Sequence, residues 1–150
     1  MTQILNKEKS SSIARVIDAR GPRFSATLTA LVLATALVTG SAWLLLAQTV
    51  VFAIGAIRGP QFTPYAWIFK TFVRPRLTGA TPTEDVRPPQ FAQSVGLLLG
   101  LIATASAFSG LTLVATIATA FALAASFLNA AFNYCLGCEI YLLLLRARRA

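Results

Sequence analysis

From Phe24 to Ile57 the chain carries no charged residue, and that single run limits what it can become. One unbroken helix of that length would extend about 50 Å at about 1.5 Å per residue, well past a bilayer hydrocarbon core of about 30 Å. Thr39-Gly40-Ser41 offers a turn near its middle, so the run reads as two short helices, Ser25–Val38 and Ala42–Ile57. Each sits at or below the usual spanning minimum of about 17 residues, so bilayer thinning or flanking anchors must cover the mismatch.

Charge placement supports this hairpin. The 13 Lys and Arg, against 5 Asp and Glu, fall in Met1–Arg23, in Arg58–Arg87 and in Arg146–Arg149, all outside the apolar runs. With four spans the three clusters share one face, and the opposite turns, Thr39–Ser41 and Phe108–Gly110, carry no charge. By the positive-inside rule that face is cytoplasmic. A single span over 24–57 would split the first two clusters across the membrane. A cleavable signal peptide is the rival for the first helix, but the basic region ahead of it is unusually long for one. With 56% of residues hydrophobic, the composition is that of an integral membrane protein rather than a soluble domain. The expected fold is therefore an all-α membrane protein with four short transmembrane helices in two hairpins. Its single membrane domain divides into a cytoplasmic segment 1–23, a hairpin 24–57, a cytoplasmic connection 58–90, a hairpin 91–134 and a tail 135–150.

The connecting pieces refine the picture. Ser10-Ser11-Ser12 suggests a mobile start, and Ile13, Val16 and Ile17 are spaced to lay one helical turn on the bilayer. Gly21-Pro22 is expected to break the chain before the first span. In the connection, Tyr65–Arg74 mixes aromatic and basic residues as an interfacial helix does, with Pro75 ending it. Thr78–Gln90 is rich in Pro and Thr, and Pro88-Pro89 stiffens the approach to a third span, Phe91–Ala107. There Gly96, Gly100, Ala103 and Ala107 make a small-residue stripe suited to close packing within the bundle or, alternatively, at a homodimer seam. The fourth span starts near Leu111. Continued to Leu145 it too would be about 50 Å long, so it should leave the membrane or bend near Asn133–Gly137. Tyr141, Leu142–Leu145 and the final arginines then form an interfacial tail facing anionic lipid. The two hairpins are candidates for an internal duplication, with no residue pattern to prove it.

Chemistry concentrates at Cys135-Leu136-Gly137-Cys138-Glu139. The two cysteines are the only ones, and there is no histidine, which removes imidazole haem ligation, His-based zinc catalysis and Ser-His triads within this chain. The C-x-x-C spacing supplies an attacking thiolate and a resolving thiol for thiol–disulfide exchange. Its electrostatics depend on the helix. A break at Asn133 followed by a restart would give the thiols a favourable N-terminal end, whereas a straight helix would leave them at the negative end. Glu139 opposes thiolate formation when ionised and is a candidate proton relay. The blander reading is that both cysteines are small hydrophobes in an apolar helix. A metal would need a second chain, since two thiolates are half of a tetrahedral zinc site or a linear Cu(I) pair. No cofactor is implied.

Other polar residues have bland and sharp readings as well. Gln48, Gln93, Asn129 and Asn133 lie in or beside the spans, where interhelical hydrogen bonding is the ordinary role and a substrate path the sharper one. Asp18 is expected to pair with Arg20 or Arg23, and Glu84-Asp85 with Arg87. Arg20, Arg23, Arg74, Arg76 and Arg87 together are a candidate anion or partner contact. Topology accounts for the positive charge, so no nucleic acid is expected.

Several stretches resemble a bacterial family of small membrane proteins catalogued as a domain of unknown function. They are Val16–Phe24, Arg74-Pro75-Arg76-Leu77, Glu84–Gln93, Leu128–Phe132 and Cys135-Leu136-Gly137-Cys138-Glu139-Ile140-Tyr141. Asn133 stands where a glycine is expected. The resemblance implies a four-helix membrane fold with cytoplasm-facing motifs and an association with thioredoxin-like and sulfurtransferase-like proteins. The leading expectation is thus an inner-membrane protein with both termini cytoplasmic, whose Cys135/Cys138 dithiol exchanges electrons or sulfane sulfur with a thioredoxin-like or rhodanese-like partner. The alternatives are a small sulfur-anion transporter or channel, with a path through Gln48, Asn129 and Gln93 and needing a homo-oligomer, or a non-catalytic subunit of a larger membrane complex.

Overall fold

A computed structural model describes residues 16–77 and 82–149; the anticipated mobile start at Ser10–Ser12 and Ile13 lie outside them, while Val16 and Ile17, expected to lay a helical turn on the bilayer, form a strand instead because they pair with a second extended segment. The described residues fold into six α-helices, short helical turns and one small ribbon. Strand β1 (Val16–Asp18) pairs antiparallel with β2 (Thr83–Asp85), setting Ile17 opposite Glu84. Helices α1 (Arg20–Thr39) and α2 (Ala42–Ile57) follow β1. A short 3-10 turn (Pro60–Phe62), α3 (Pro64–Ile68), a π-helical turn (Phe69–Val73) and a second 3-10 turn (Arg74–Arg76) make the connection. After β2 come α4 (Arg87–Phe108), α5 (Thr112–Phe132) and α6 (Leu136–Arg149).

Helices α1, α4 and α5, at 20, 22 and 21 residues, are long and apolar enough to cross a membrane. Helix α2 is apolar but has only 16 residues. Its bounds are those the charge-free run suggests, because Gly40 takes the left-handed conformation (φ 67°) that closes α1 and Ser41 caps α2 by accepting the Leu44 N–H.

The start of α1 differs from expectation. Gly21-Pro22 does not break the chain before the helix; both residues lie in its first turn, and Pro88-Pro89 lie likewise in the first turn of α4. A first-turn proline loses no intrahelical bond, since those N–H groups have no partner within the helix. Each helix is instead started by an aspartate two residues ahead of its first residue. Asp18 Oδ1 accepts the Arg20 N–H at 3.0 Å and Asp85 Oδ1 accepts the Arg87 N–H at 2.9 Å. The interfacial segment also runs on through Pro75 to Arg76, because a 3-10 turn, like an α-helix, accepts proline in its first positions.

Packing joins α1 to α5 and α2 to α4, with α4 also against α5 and α1 more lightly against α2. The interior is built from small residues (Ala26, Ala36, Ala103, Ala115, Ala118, Ala122) around Leu33, Leu45 and Phe52, while Leu31, Val38, Trp43, Leu98, Leu113 and Phe127 point outward. Small inside and large apolar outside is how helices pack when the solvent is lipid. The glycine stripe of α4 faces inward. A Cβ on Gly96 would lie 2.6 Å from the Phe52 ring, and one on Gly100 2.7 Å from Thr49 Oγ1, so these glycines set how closely α4 approaches α2.

Candidate functional site

The helix breaks where the cysteines need it to. Asn133 adopts the left-handed conformation (φ 54°), and the Tyr134 N–H closes on the Leu128 carbonyl at 3.2 Å, terminating α5. Asparagine is one of the few side chains that tolerate this geometry, so it serves in place of glycine. Arg23 donates its Nε–H to the Ala130 carbonyl at 3.0 Å, satisfying an end carbonyl of α5 and tying it to α1.

The chain restarts at once as α6. Cys135 precedes the first helical residue and caps it: its carbonyl accepts the Glu139 N–H at 3.0 Å and its Sγ accepts the Cys138 N–H at 3.2 Å. Cys135 and Cys138 are joined in a disulfide. The pair therefore has the positive end of a helix, the favourable one of the two geometries the spacing leaves open. Gly137 seats this turn on α4, where an added Cβ would lie 2.6 Å from Ala92 Cβ, and one helical turn further on Tyr141 meets Phe91 with ring centroids 5.6 Å apart. Glu139 is exposed.

Behind the disulfide lies a cavity of about 530 Å³ between the helices, with Cys135 on its wall. At its mouth Asp18 is paired with Arg20 at 3.0 Å and reached by Arg74 at 3.8 Å. The Arg20 guanidinium, more than any other group, holds the Asp18 carboxyl below the usual carboxylate range, with burial opposing. Deeper in, the wall turns apolar through Phe52, Leu99 and Ala122. Gln93 and Asn129 line the cavity and Gln48 does not. Gln48, only 1% exposed, is fully engaged: Tyr65 donates its phenol O–H to Gln48 Oε1 at 2.7 Å and Gln48 Nε2 donates to Thr29 Oγ1 at 3.4 Å.

Of the five arginines, the fold gathers Arg20 and Arg74 around Asp18, while Arg74 alone lines the cavity. Arg87 pairs with Asp85, Arg23 binds a backbone carbonyl, and Arg76 is exposed. The sequence reading missed Gln61. Its side-chain oxygen, like that of Gln93, is buried without a hydrogen-bond partner, and both residues face the cavity. A Cβ on Gly59, whose φ is 120°, would lie 2.5 Å from Gln61 Oε1, so this glycine turn closes over the side chain. Among the described residues no three His, Cys, Asp or Glu side chains gather to hold a metal.

Residues 17–146 match the model of one protein family, described as Domain of unknown function (DUF4395). The chain belongs to that family. The match runs from within β1 to within α6. No curated protein and no solved structure matches the chain.

Proposed function

We propose that this is a membrane-embedded dithiol protein that exchanges electrons or sulfane sulfur with a soluble thioredoxin-like or sulfurtransferase-like partner through Cys135 and Cys138. The observation that carries the reading is the disulfide at the capped start of α6, with the Cys138 N–H donating to Cys135 Sγ on a cavity wall. An incoming partner thiolate attacks one sulfur of the pair and the other leaves as a thiolate. A second partner thiol then resolves the mixed disulfide, so the partner is oxidised and the pair takes up two electrons and two protons. In the reduced form the same thiolate accepts a sulfane sulfur from a partner persulfide, releasing the partner thiol.

In this reading α2 crosses as well. Four spans in two hairpins put both termini, the connection and the disulfide at the cytoplasmic face of a bacterial inner membrane. The support is the placement of basic residues at one end of the helices and of the uncharged Gly40 and Gly110 turns at the other. The test is exchange between the reconstituted chain and a reduced thioredoxin whose resolving cysteine is replaced by serine. A trapped mixed disulfide supports the reading. No adduct, together with full function of the Cys135→Ser/Cys138→Ser chain in cells, overturns it. Thiol labelling in intact cells and inverted vesicles checks the side: periplasmic labelling rules out a cytoplasmic partner.

A further inference from the structure

The cavity has two ends of different character. At one stand Cys135, Lys70, Arg74 and Asp18. At the other is Phe121, midway along α5, which lines the cavity although 65% of it is exposed on the outer surface of the helices. The space therefore reaches the lipid-facing side at mid-helix, about 18 Å along α5 from its Asn133 end at about 1.5 Å per residue. Such a cavity accepts a molecule with an apolar tail arriving from the bilayer and a polar head arriving at the disulfide. Gln61 and Gln93 line the cavity too; their side-chain oxygens are sealed against Gly59 and Gly55, which leaves their amide N–H groups to meet an occupant. Amide N–H groups call for acceptors, so the occupant that fits carries carbonyl oxygens.

We infer that the cavity is a quinone site and that a membrane quinone is the oxidant of the Cys135/Cys138 dithiol. This rests on the redox reading above. Of two-electron carriers, nicotinamides and flavin nucleotides are charged and come from water, whereas a quinone dissolves in the bilayer. Its two ring carbonyls can accept from the side-chain amides of Gln61 and Gln93. The reaction balances. The Cys135 thiolate adds to the quinone ring, forming a C–S bond, and one ring oxygen takes a proton. The Cys138 thiolate then attacks Cys135 Sγ; the S–S bond forms, the C–S bond breaks and its electron pair stays with the ring. The second oxygen takes the other proton. Two thiols become a disulfide and one quinone becomes a quinol, with Lys70 and Arg74 at the mouth offsetting the negative charge of the intermediate.

The experiment uses the full chain in phospholipid nanodiscs, reduced, freed of reductant and mixed with decylubiquinone under argon. Thiols should disappear with one quinol formed for each disulfide. Gln93→Leu and Gln61→Leu should each raise the quinone concentration for half-maximal oxidation about tenfold, as expected for loss of one buried hydrogen bond. Phe121→Trp should slow entry of the quinone, and Leu113→Ala, outside the cavity, should change nothing. The inference falls if the dithiol is oxidised no faster with quinone than without it, or if all variants respond alike, which would mark unguided reaction of exposed thiols. It also falls if native mass spectrometry finds the cavity held by phospholipid that quinone does not displace. Failure with quinone while exchange with thioredoxin persists removes this inference alone; failure of both removes the redox reading too.

Discussion

Asp18 and Asp85 occupy equivalent positions about a local two-fold axis that passes between the paired residues Ile17 and Glu84 of the strand ribbon. Each accepts the backbone N–H of the arginine two residues on, and each holds that arginine's side chain. At the same offset Pro22 recurs as Pro89 and Phe24 as Phe91. Phe24 meets Phe69, in the segment after α2, at 5.6 Å, and Phe91 meets Tyr141, in the helix after α5, also at 5.6 Å. The exchange of partners, α1 with α5 and α2 with α4, obeys the same axis. The helix pairs α1–α2 and α4–α5 are thus related by that axis, and only the segment after α5 carries cysteines.

The two aspartates should differ in worth. The Asp18 side chain is 9% exposed and that of Asp85 42%, so water screens the second pair more. Asp18→Asn should lower the melting temperature of the chain in nanodiscs more than Asp85→Asn. The pH dependence follows in sign. Because the folded carboxyl of Asp18 is lowered, its stabilisation is complete above the unfolded value of about 3.9. It is lost as pH falls from there through the folded value. Melting temperatures measured from pH 5 down to pH 3, the range set by that unfolded value, should fall for the wild type and fall less for Asp18→Asn.

Close approach of α4 to α2 depends on Gly96 and Gly100. Gly96→Ala drives a methyl into the Phe52 ring and should cost about 1–3 kcal/mol, as overpacking does. Gly100→Ala meets the movable Thr49 hydroxyl and should cost less. Unfolding in mixed micelles measures both; equal, negligible losses would mean the helices sit farther apart.

The Tyr65–Gln48 hydrogen bond fastens the connection to a buried amide in α2. Tyr65→Phe should cost about 0.5–1.5 kcal/mol, and Gln48→Leu about 1–3 kcal/mol, because the second leaves the Tyr65 and Thr29 hydroxyls without their partner. The double variant should lose less than the sum. Strict additivity in the same unfolding assay would show the two are uncoupled.

How much of this could be read in the sequence follows from the range of the interactions involved. The bounds of α2 come from a local break, Thr39-Gly40-Ser41, and the direction of the Gly96/Gly100 stripe from spacing on one helix. The ribbon does not, because Val16–Asp18 finds its partner only through the fold and three residues carry no period. The two-fold relation is hidden for a related reason: the telling matches, Asp18 with Asp85, Arg20 with Arg87, Pro22 with Pro89 and Phe24 with Phe91, are scattered, and their equivalence shows once the axis is seen. In the site, the C-x-x-C spacing was plain, but its geometry rests on the φ of one residue, Asn133. Gln61 had no signal of its own, since a glutamine beside a proline turn usually faces water.

The helix break makes a last prediction about the cysteines themselves. When the pair is reduced, a thiolate on Cys135 lies at the α6 N-terminus with the Cys138 N–H aimed at it, whereas Cys138 sits within the first turn. Charge-assisted bonds of this kind are about twice as strong as neutral ones, and the thiolate is the reactive form. Cys135 in the Cys138→Ser chain should therefore react with iodoacetamide at neutral pH about tenfold faster than Cys138 in the Cys135→Ser chain, which a difference of about 1.4 kcal/mol provides. Asn133→Gly should preserve the advantage, because glycine accepts the left-handed turn. Asn133→Val should erode it, because a β-branched residue resists that turn and favours carrying α5 straight through. Equal alkylation rates for the two cysteines would mean that the helix end does not govern which sulfur leads.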